Sequence, residues 1–170
     1  ILVRDWRLIC KFGLGVYDMY RKILVPLDGS ELSEHALEHL RAIAGGSKTL
    51  KVVLLQVVES VVIPLAGGQY AVERALKARE EADTDAKNYL DKLADQLEEE
   101  GMSVKTVITH GMPANDILNY ATKNKVGLII MSTHGRAGIS RWLFGSVAEK
   151  VIRHSTVPVL ISPPHGTRGG

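Results

Sequence analysis

Five short apolar runs alternate along this chain with segments whose apolar residues return at helical spacing, and that alternation limits the fold more than any other feature. The runs are Lys22 to Leu27 (KILVPL), Lys51 to Val58 (KVVLLQVV), Ser103 to Thr109, Val126 to Met131 and Val157 to Ile161. The second is almost continuously apolar, as a strand buried on both faces must be. Consecutive strands separated by a helix enter a sheet in the same direction, and right-handed crossovers distribute the helices over both faces. The expected architecture is an open, Rossmann-like α/β fold with a five-stranded parallel sheet between two helical layers. At 170 residues and 45% hydrophobic, the chain carries enough apolar material for one good core.

The intervening segments have their own start and stop signals. Asp28-Gly29-Ser30 is a turn; Ser30 suits an N-cap, and Glu31 and Glu34 favour the positive end of the helix that follows. Leu32, Ala36, Leu37, Leu40, Ile43 and Ala44 form its apolar stripe, and Gly45-Gly46 closes it. Glu59 to Gln69, with Pro64 and Gly67-Gly68, reads as a loop. Tyr70 to Glu100 is a long amphipathic helix, inward at Ala75, Ala82, Ala86, Leu90, Leu93 and Leu97. Pro113 starts a helix packed through Ala114, Ile117, Leu118 and Ala121. The last helix, Gly145 to His154, turns Val147, Val151 and Ile152 inward. Residues 1–18 show no clean period and are read as an extension, 19–165 as the domain and 166–170 as a disordered tail.

Several function classes are set aside. A net charge of +2 gives no electrostatic footprint for nucleic acid. No apolar run approaches the roughly 20 residues of a membrane span. One cysteine, Cys10, excludes an internal disulfide framework and fits a reducing compartment; residues 1–18 lack signal-peptide order, so the cytoplasm is expected. His35-Ala-Leu-Glu-His39 puts two histidines on one helical face, but zinc needs a third ligand that nothing marks. Gly46-Ser47-Lys48-Thr49 lacks the glycine before lysine and follows a helix, so it is not a P-loop, and Gly13-Leu-Gly15 is half a dinucleotide fingerprint without a strand before it. His134 lies near Ser132 without a nucleophile elbow or an acid partner and is read as a loop histidine, with Trp142 and Phe144 as loop anchors. No catalytic residue and no metal held by side chains are expected.

Parallel sheets of this type bind ligands outside the carboxyl ends of their strands, where the strand order reverses. The first and fourth strands are the expected neighbours there, with loops Pro26 to Ser30 and Ser132 to Gly145. The second loop carries Ser132-x-x-Gly135, nine residues, then Gly145-Ser146. Gly135 lets backbone approach a ligand or adopt positive φ, and Gly145 and Ser146 open a helix whose amides and hydroxyl suit a nucleotide phosphate. The same glycines would also serve plain turns and close packing. Asp28 suits a ribose or base amino group, or a turn; Pro26 and Val57 suit a flat base, or the core.

Taken together, Lys22-Ile-Leu-Val-Pro-Leu-Asp-Gly-Ser30, Leu54-Leu-Gln-Val57, Met131-Ser-Thr-His-Gly135, Gly145-Ser-Val-Ala-Glu-Lys150 and Val157-Pro-Val-Leu160 resemble the nucleotide-binding branch of the universal stress protein family, from Met19 to Pro163. The resemblance implies an adenine nucleotide α-hydrolase-like strand order, 3-2-1-4-5, and ATP, AMP or cyclic AMP as ligand, with Mg²⁺ or Mn²⁺ held through the phosphates. It implies that Asp28 and the backbone at Val57 handle adenine and ribose, with Leu27 and Ser30 in the same binding stretch. Pro26 and Met131 would line the base pocket, and Gly135, Gly145, Ser146 and Val147 would hold the phosphates. Ser132 stands where the family's pattern has its first glycine; serine is small enough to keep a backbone contact there. A homodimer through Val157 to Ile161 is also implied, at an apolar edge otherwise exposed. The expected function is a nucleotide-dependent stress-response switch read by an unknown protein partner. Two alternatives stand beside it: a dimeric adaptor that binds no nucleotide, and an ATP hydrolase that is weak or partner-dependent, since no clear general base is present.

Overall fold

The computed structural model describes residues 20–44, 49–59, 68–133 and 145–162. They form, in chain order, β1 (Lys22–Leu27), α1 (Glu31–Ala44), β2 (Lys51–Glu59), α2 (Gly68–Glu99), β3 (Ser103–Gly111), α3 (Pro113–Lys123), β4 (Leu128–Ser132), α4 (Ser146–His154) and β5 (Val159–Ser162). Every pairing is parallel, and the sheet order is β3-β2-β1-β4-β5. The chain therefore builds outward from β1 to β3, and α3 carries it back across to the other side of β1.

Side chains alternate across a strand, so each face of the sheet collects its own core. Ile23, Val25, Val52, Leu54 and Ile130 pack with Leu40 of α1 and Leu90 of α2 on one face. Leu24, Val53, Leu55 and Ile129 pack with Ile117 of α3 and Val151 of α4 on the other. Leu24, Leu40, Leu54, Leu90 and Ile129 are fully buried, each worth about 1.5–3 kcal/mol relative to exposure. α2 is stopped by Gly101, at φ 88°, where the Gly101 amide donates to Glu98 (2.8 Å) and the Met102 amide to Leu97 (3.0 Å). That left-handed cap suits glycine and turns the chain directly into β3.

Packing adjusts the sequence expectation at several points. β5 begins at Val159 instead of Val157, because Ser155 Oγ donates to the Val157 carbonyl (2.6 Å) and accepts its amide (3.0 Å), and Pro158 has no amide hydrogen to give. β4 starts at Leu128 and β3 runs on to Gly111. Glu59 belongs to β2, and Gly68 and Gln69 to α2, instead of a loop. Leu32, Ile43 and Leu118 are only half-buried. In α4, Ala148 and Val151 face inward, Val147 is half-buried, and Ile152 is 41% exposed; a nine-residue helix laid on the sheet margin covers only its i, i+3 stripe. Gly45-Gly46 and residues 60–67 lie outside the described residues, as do 1–19 and 163–170.

The long helix packs through only part of its length. Its buried residues begin at Ala86, while Ala75 and Ala82 are half-exposed and Tyr70, Val72 and Leu76 are open to solvent. Thirty-two residues span about 48 Å, against about 30 Å for the nine residues of β3. Asp83 meets His110 near the end of β3 at 2.6 Å, so the turns before it extend roughly 20 Å past the carboxyl edge of the sheet. No helix among the described residues is long and apolar enough to cross a membrane.

Candidate functional site

The site begins with a missing hydrogen-bond donor. Along a strand, the amide and carbonyl of one residue point to the same side, and the side alternates. Arg21 accepts from the Lys51 amide on the β2 side (2.9 Å), and Lys22 accepts from the Gly127 amide on the β4 side (2.9 Å). Lys22, Leu24 and Pro26 therefore address β4, and Pro26 has no hydrogen to offer it. Pairing of β1 with β4 runs through Ile23↔Leu128 and Leu24↔Ile129 and stops there. Pairing with β2 continues to Leu27↔Gln56. Beyond that point the two strands turn to other partners. The Asp28 amide goes to Ser33 Oγ (3.4 Å). β4 stays with β5 through Ser132↔Ser162, and the Thr133 amide donates to the Ser162 carbonyl (3.1 Å). The β1–β4 ladder thus ends short of the strand tips, at the place where the strand order reverses.

The residues that line this place follow from the same alternation. Val57 and Met131 belong to the core on the α3/α4 face, and Pro26, two residues after Leu24, points to that face too. Pro26, Leu27 and Met131 are buried and Val57 half-buried, giving an apolar lining where the ladder ends. Asp28 sits on the β1 side. Its Oδ1 accepts the Ser30 amide (3.0 Å) and the Ser30 hydroxyl (2.6 Å), while Ser30 Oγ accepts the Ser33 amide (3.2 Å). Ser30 thus caps α1, and one oxygen of Asp28 serves the turn.

The opposite side is built differently. α4 has Gly145 as its N-cap, with no side-chain cap hydrogen bond to its first amides among the described residues. Gly145 stands at φ −56°, ψ 149°, a conformation open to any residue, so the missing side chain bears on access to those amides and not on the turn. The Gly145 amide donates to the Thr133 carbonyl at 2.7 Å, which returns the chain after residues 134–144 to the tip of β4 that it left. Ser146 is exposed and Val147 half-buried in the first turn. Uncapped amides and the helix dipole make this end receptive to an anion. Asp28 follows the tip of β1, and Gly145 is tied to the tip of β4 through Thr133. Gly135, His134, Trp142 and Phe144 fall outside the described residues.

Two further polar groups, Ser33 and Tyr89, lie near Asp28 without any motif to announce them, and Ser132 shows a feature its motif does not. Ser33 is buried and also donates to the Ser30 carbonyl (2.8 Å). Burial pushes the Tyr89 phenol well above its usual range; Ser33, Glu34 and Asp28 are close by, and Ser33 and Glu34 lie outside hydrogen-bonding geometry with its hydroxyl. Ser132 Oγ is buried with no hydrogen-bond partner among the described residues. Spacing of apolar residues cannot reveal any of these, because each depends on what the opposite element brings. His35 Nδ1 lies 3.7 Å from Glu38, and no group of three metal-ligating side chains is found among the described residues.

Residues 19–163 match the Universal stress protein family profile. The chain is 36% identical to the universal stress protein MJ0577 of Methanocaldococcus jannaschii, over 84% of this chain and 94% of that protein. To MJ0531 of the same organism it is 34% identical, over 85% of this chain and 82% of the relative. The solved structure of MJ0577 superposes with a TM-score of 0.76 at 33% identity, covering 88% of this chain and 99% of that one. A universal stress protein in complex with cAMP has the same fold (TM-score 0.62, 24% identity, 85% and 97% covered). So does an Arabidopsis thaliana family protein with AMP bound (TM-score 0.62, 17% identity, 85% and 92% covered).

Proposed function

This chain belongs to the universal stress protein family, and from that premise we propose that it binds an adenine nucleotide, ATP in the first place, in the crevice between β1 and β4. The observation that carries the reading is the parting of these strands after Leu24↔Ile129, imposed by Pro26, beside an uncapped helix N-terminus. The base lies against Pro26, Val57 and Met131. Asp28 and the backbone at Val57 take adenine and ribose, with Leu27 and Ser30 completing that side. Ser132, Gly135, Gly145, Ser146 and Val147 take ribose and phosphates. That the fold houses such ligands is supported by the relatives holding cAMP and AMP. Mg²⁺ or Mn²⁺ enters with the phosphates. Bound nucleotide changes the surface formed after Thr133, and a partner protein or a second subunit reads that surface. The half-buried β5 edge at Val159, Leu160 and Ile161 suits a homodimer, and the cytoplasm suits the chain.

Isothermal titration with ATP, AMP and cyclic AMP in the presence of Mg²⁺ tests this. The expected result is saturable binding by at least ATP, lost in Gly145→Arg without loss of the folded circular dichroism spectrum. No heat at millimolar nucleotide would refute the assignment, and unchanged affinity in Gly145→Arg would move the phosphates elsewhere. A second reading draws on Asp28, one of whose oxygens is committed to Ser30: a dimeric adaptor without nucleotide. It predicts that protein purified from cells carries no 260 nm absorbance beyond its aromatic residues.

A further inference from the structure

We infer that Met112 is a reversible oxidation site and that its sulfoxide oxygen caps α3, so that reaction with a peroxide tightens the start of that helix. Met112 is 62% exposed, whereas Met102 is half-buried and Met131 is 5% exposed. Exposure decides which thioether a peroxide in solution reaches first. The same residue is the N-cap of α3, at φ −99° and ψ 114°, and it makes no side-chain cap hydrogen bond among the described residues. Its backbone already has the extended geometry of a good cap; its side chain lacks the oxygen. Pro113 brings no amide hydrogen, and the Asp116 amide donates to the Met112 carbonyl (3.0 Å). A capping side chain here therefore addresses the amides of Ala114 and Asn115, the second and third residues of the helix. The thioether is already turned back over that first turn, where Asn115 Nδ2 donates to Met112 Sδ at 3.6 Å.

Oxidation supplies what the thioether lacks. A sulfur lone pair attacks one oxygen of hydrogen peroxide; the O–O bond breaks, an S–O bond forms, sulfur loses two electrons, and the other oxygen leaves as water with both hydrogens. Thioether sulfur is a weak acceptor, while the polar sulfoxide carries a full acceptor oxygen one bond beyond Sδ. That oxygen takes an amide hydrogen of the first turn, as a serine hydroxyl does at such positions. The reverse step consumes two thiols: the S–O bond breaks, its oxygen leaves as water, and the thiols join as a disulfide, the chemistry of sulfoxide reductases. Ile117, one turn further along α3, is buried in the core of that face, so a firmer first turn registers in the stability of the folded chain.

The experiment treats the wild-type chain and Met112→Leu with hydrogen peroxide, maps the oxidised methionines by peptide mass, and compares melting temperatures before and after. It needs no nucleotide and is independent of the crevice reading. Met112 is expected to gain one oxygen before Met102 or Met131. Wild type should then melt roughly 2–4 °C higher relative to Met112→Leu treated alike, the size of one helix cap. Amide hydrogen exchange at Ala114 and Asn115 should slow in the oxidised chain. Met112→Ser, which carries a capping oxygen permanently, should show the same rise without peroxide, and a sulfoxide reductase supplied with a dithiol should return the wild type to its starting value. A wild-type melting temperature that stays level or falls against Met112→Leu would overturn the cap, as would unchanged exchange at Ala114 and Asn115, or a Met112→Ser chain no more stable than untreated wild type. Oxidation of Met102 or Met131 ahead of Met112, or a sulfoxide that the reductase leaves in place, would overturn the site itself.

Discussion

Gly111 is fixed by two neighbours at once. It closes β3 at φ 152°, and a Cβ built there would run into the Asp116 carboxylate, held close by the Asp116 amide's bond to the Met112 carbonyl (3.0 Å). Gly111→Ala should therefore cost about 1–3 kcal/mol in urea denaturation. Adding Asp116→Ala should return only the steric part and leave the torsional part; a single variant as stable as wild type would refute both. Tyr89 gives a prediction with a pH sign. Burial raises its folded pKa above the unfolded value of about 10. The stability this represents is present below pH ~10 and is lost as pH rises further, because the unfolded chain can ionise there and the folded one resists. Tyr89→Phe, which removes the titration and a hydroxyl without a partner, should match or exceed wild type at pH 7 and pull ahead above pH ~10. Urea midpoints at the two pH values measure it, and a gap that narrows with rising pH would contradict the account.

At the scale of elements, Pro26 is the residue that makes β1 and β4 part company. Pro26→Val restores an amide on the β4 side. A regained hydrogen bond of about 1 kcal/mol offsets the roughly 0.4–1 kcal/mol that proline's stiffness takes from the unfolded state, so thermal stability should barely change. The new amide should exchange slowly with solvent, and ATP affinity should fall at least tenfold as the crevice closes. Fast exchange there, or unaltered affinity, would mean that something other than proline separates the strands. The same residue shows what sequence can and cannot disclose. The five strands, the four helices between them and the parallel direction are legible because β1, β2 and β4 leave nearly continuous apolar runs, β3 alternates and each helix keeps its own period, whereas the order 3-2-1-4-5 is implied by the family resemblance. That Pro26 ends a ladder is not legible, since it depends on which neighbour residue 26 addresses. The apolar stripe of α2 continues past its packed half because sequence periodicity records a helix face, not whether a sheet lies beneath it. Ile152 misleads for the same reason: helical spacing allows it inward, but the sheet margin leaves it uncovered. Of the candidate site, the burial of Pro26, Leu27 and Met131 and the Asp28-Gly29-Ser30 turn are legible in the residues, whereas the partnerless hydroxyl of Ser132 appears only once its described neighbours are in place.

For the whole molecule, the sheet divides into β3-β2-β1 and β4-β5, joined along a ladder that ends at Leu24↔Ile129. Both cores cross that seam, because Ile23 and Ile130 share one and Leu24 and Ile129 share the other. The two sides should therefore melt together, and a ligand set in the crevice should stabilise the entire sheet instead of one lip. At a hundredfold excess over Kd, mass action adds about 2.7 kcal/mol, which for a chain of this size raises the melting temperature by roughly 5–10 °C. ATP should give the full shift and adenosine less at equal concentration, because only ATP reaches the amides at Gly145. Hydrogen exchange under the same conditions should slow in β2 and β5 as well as at the tips of β1 and β4, wherever exchange requires global opening. A melting shift confined to one of two separate transitions would mean that the seam yields first. The nucleotide would then be clasping two halves that unfold independently, and the switch would operate by hinge motion at Leu24 and Ile129 instead of by a change in the surface after Thr133.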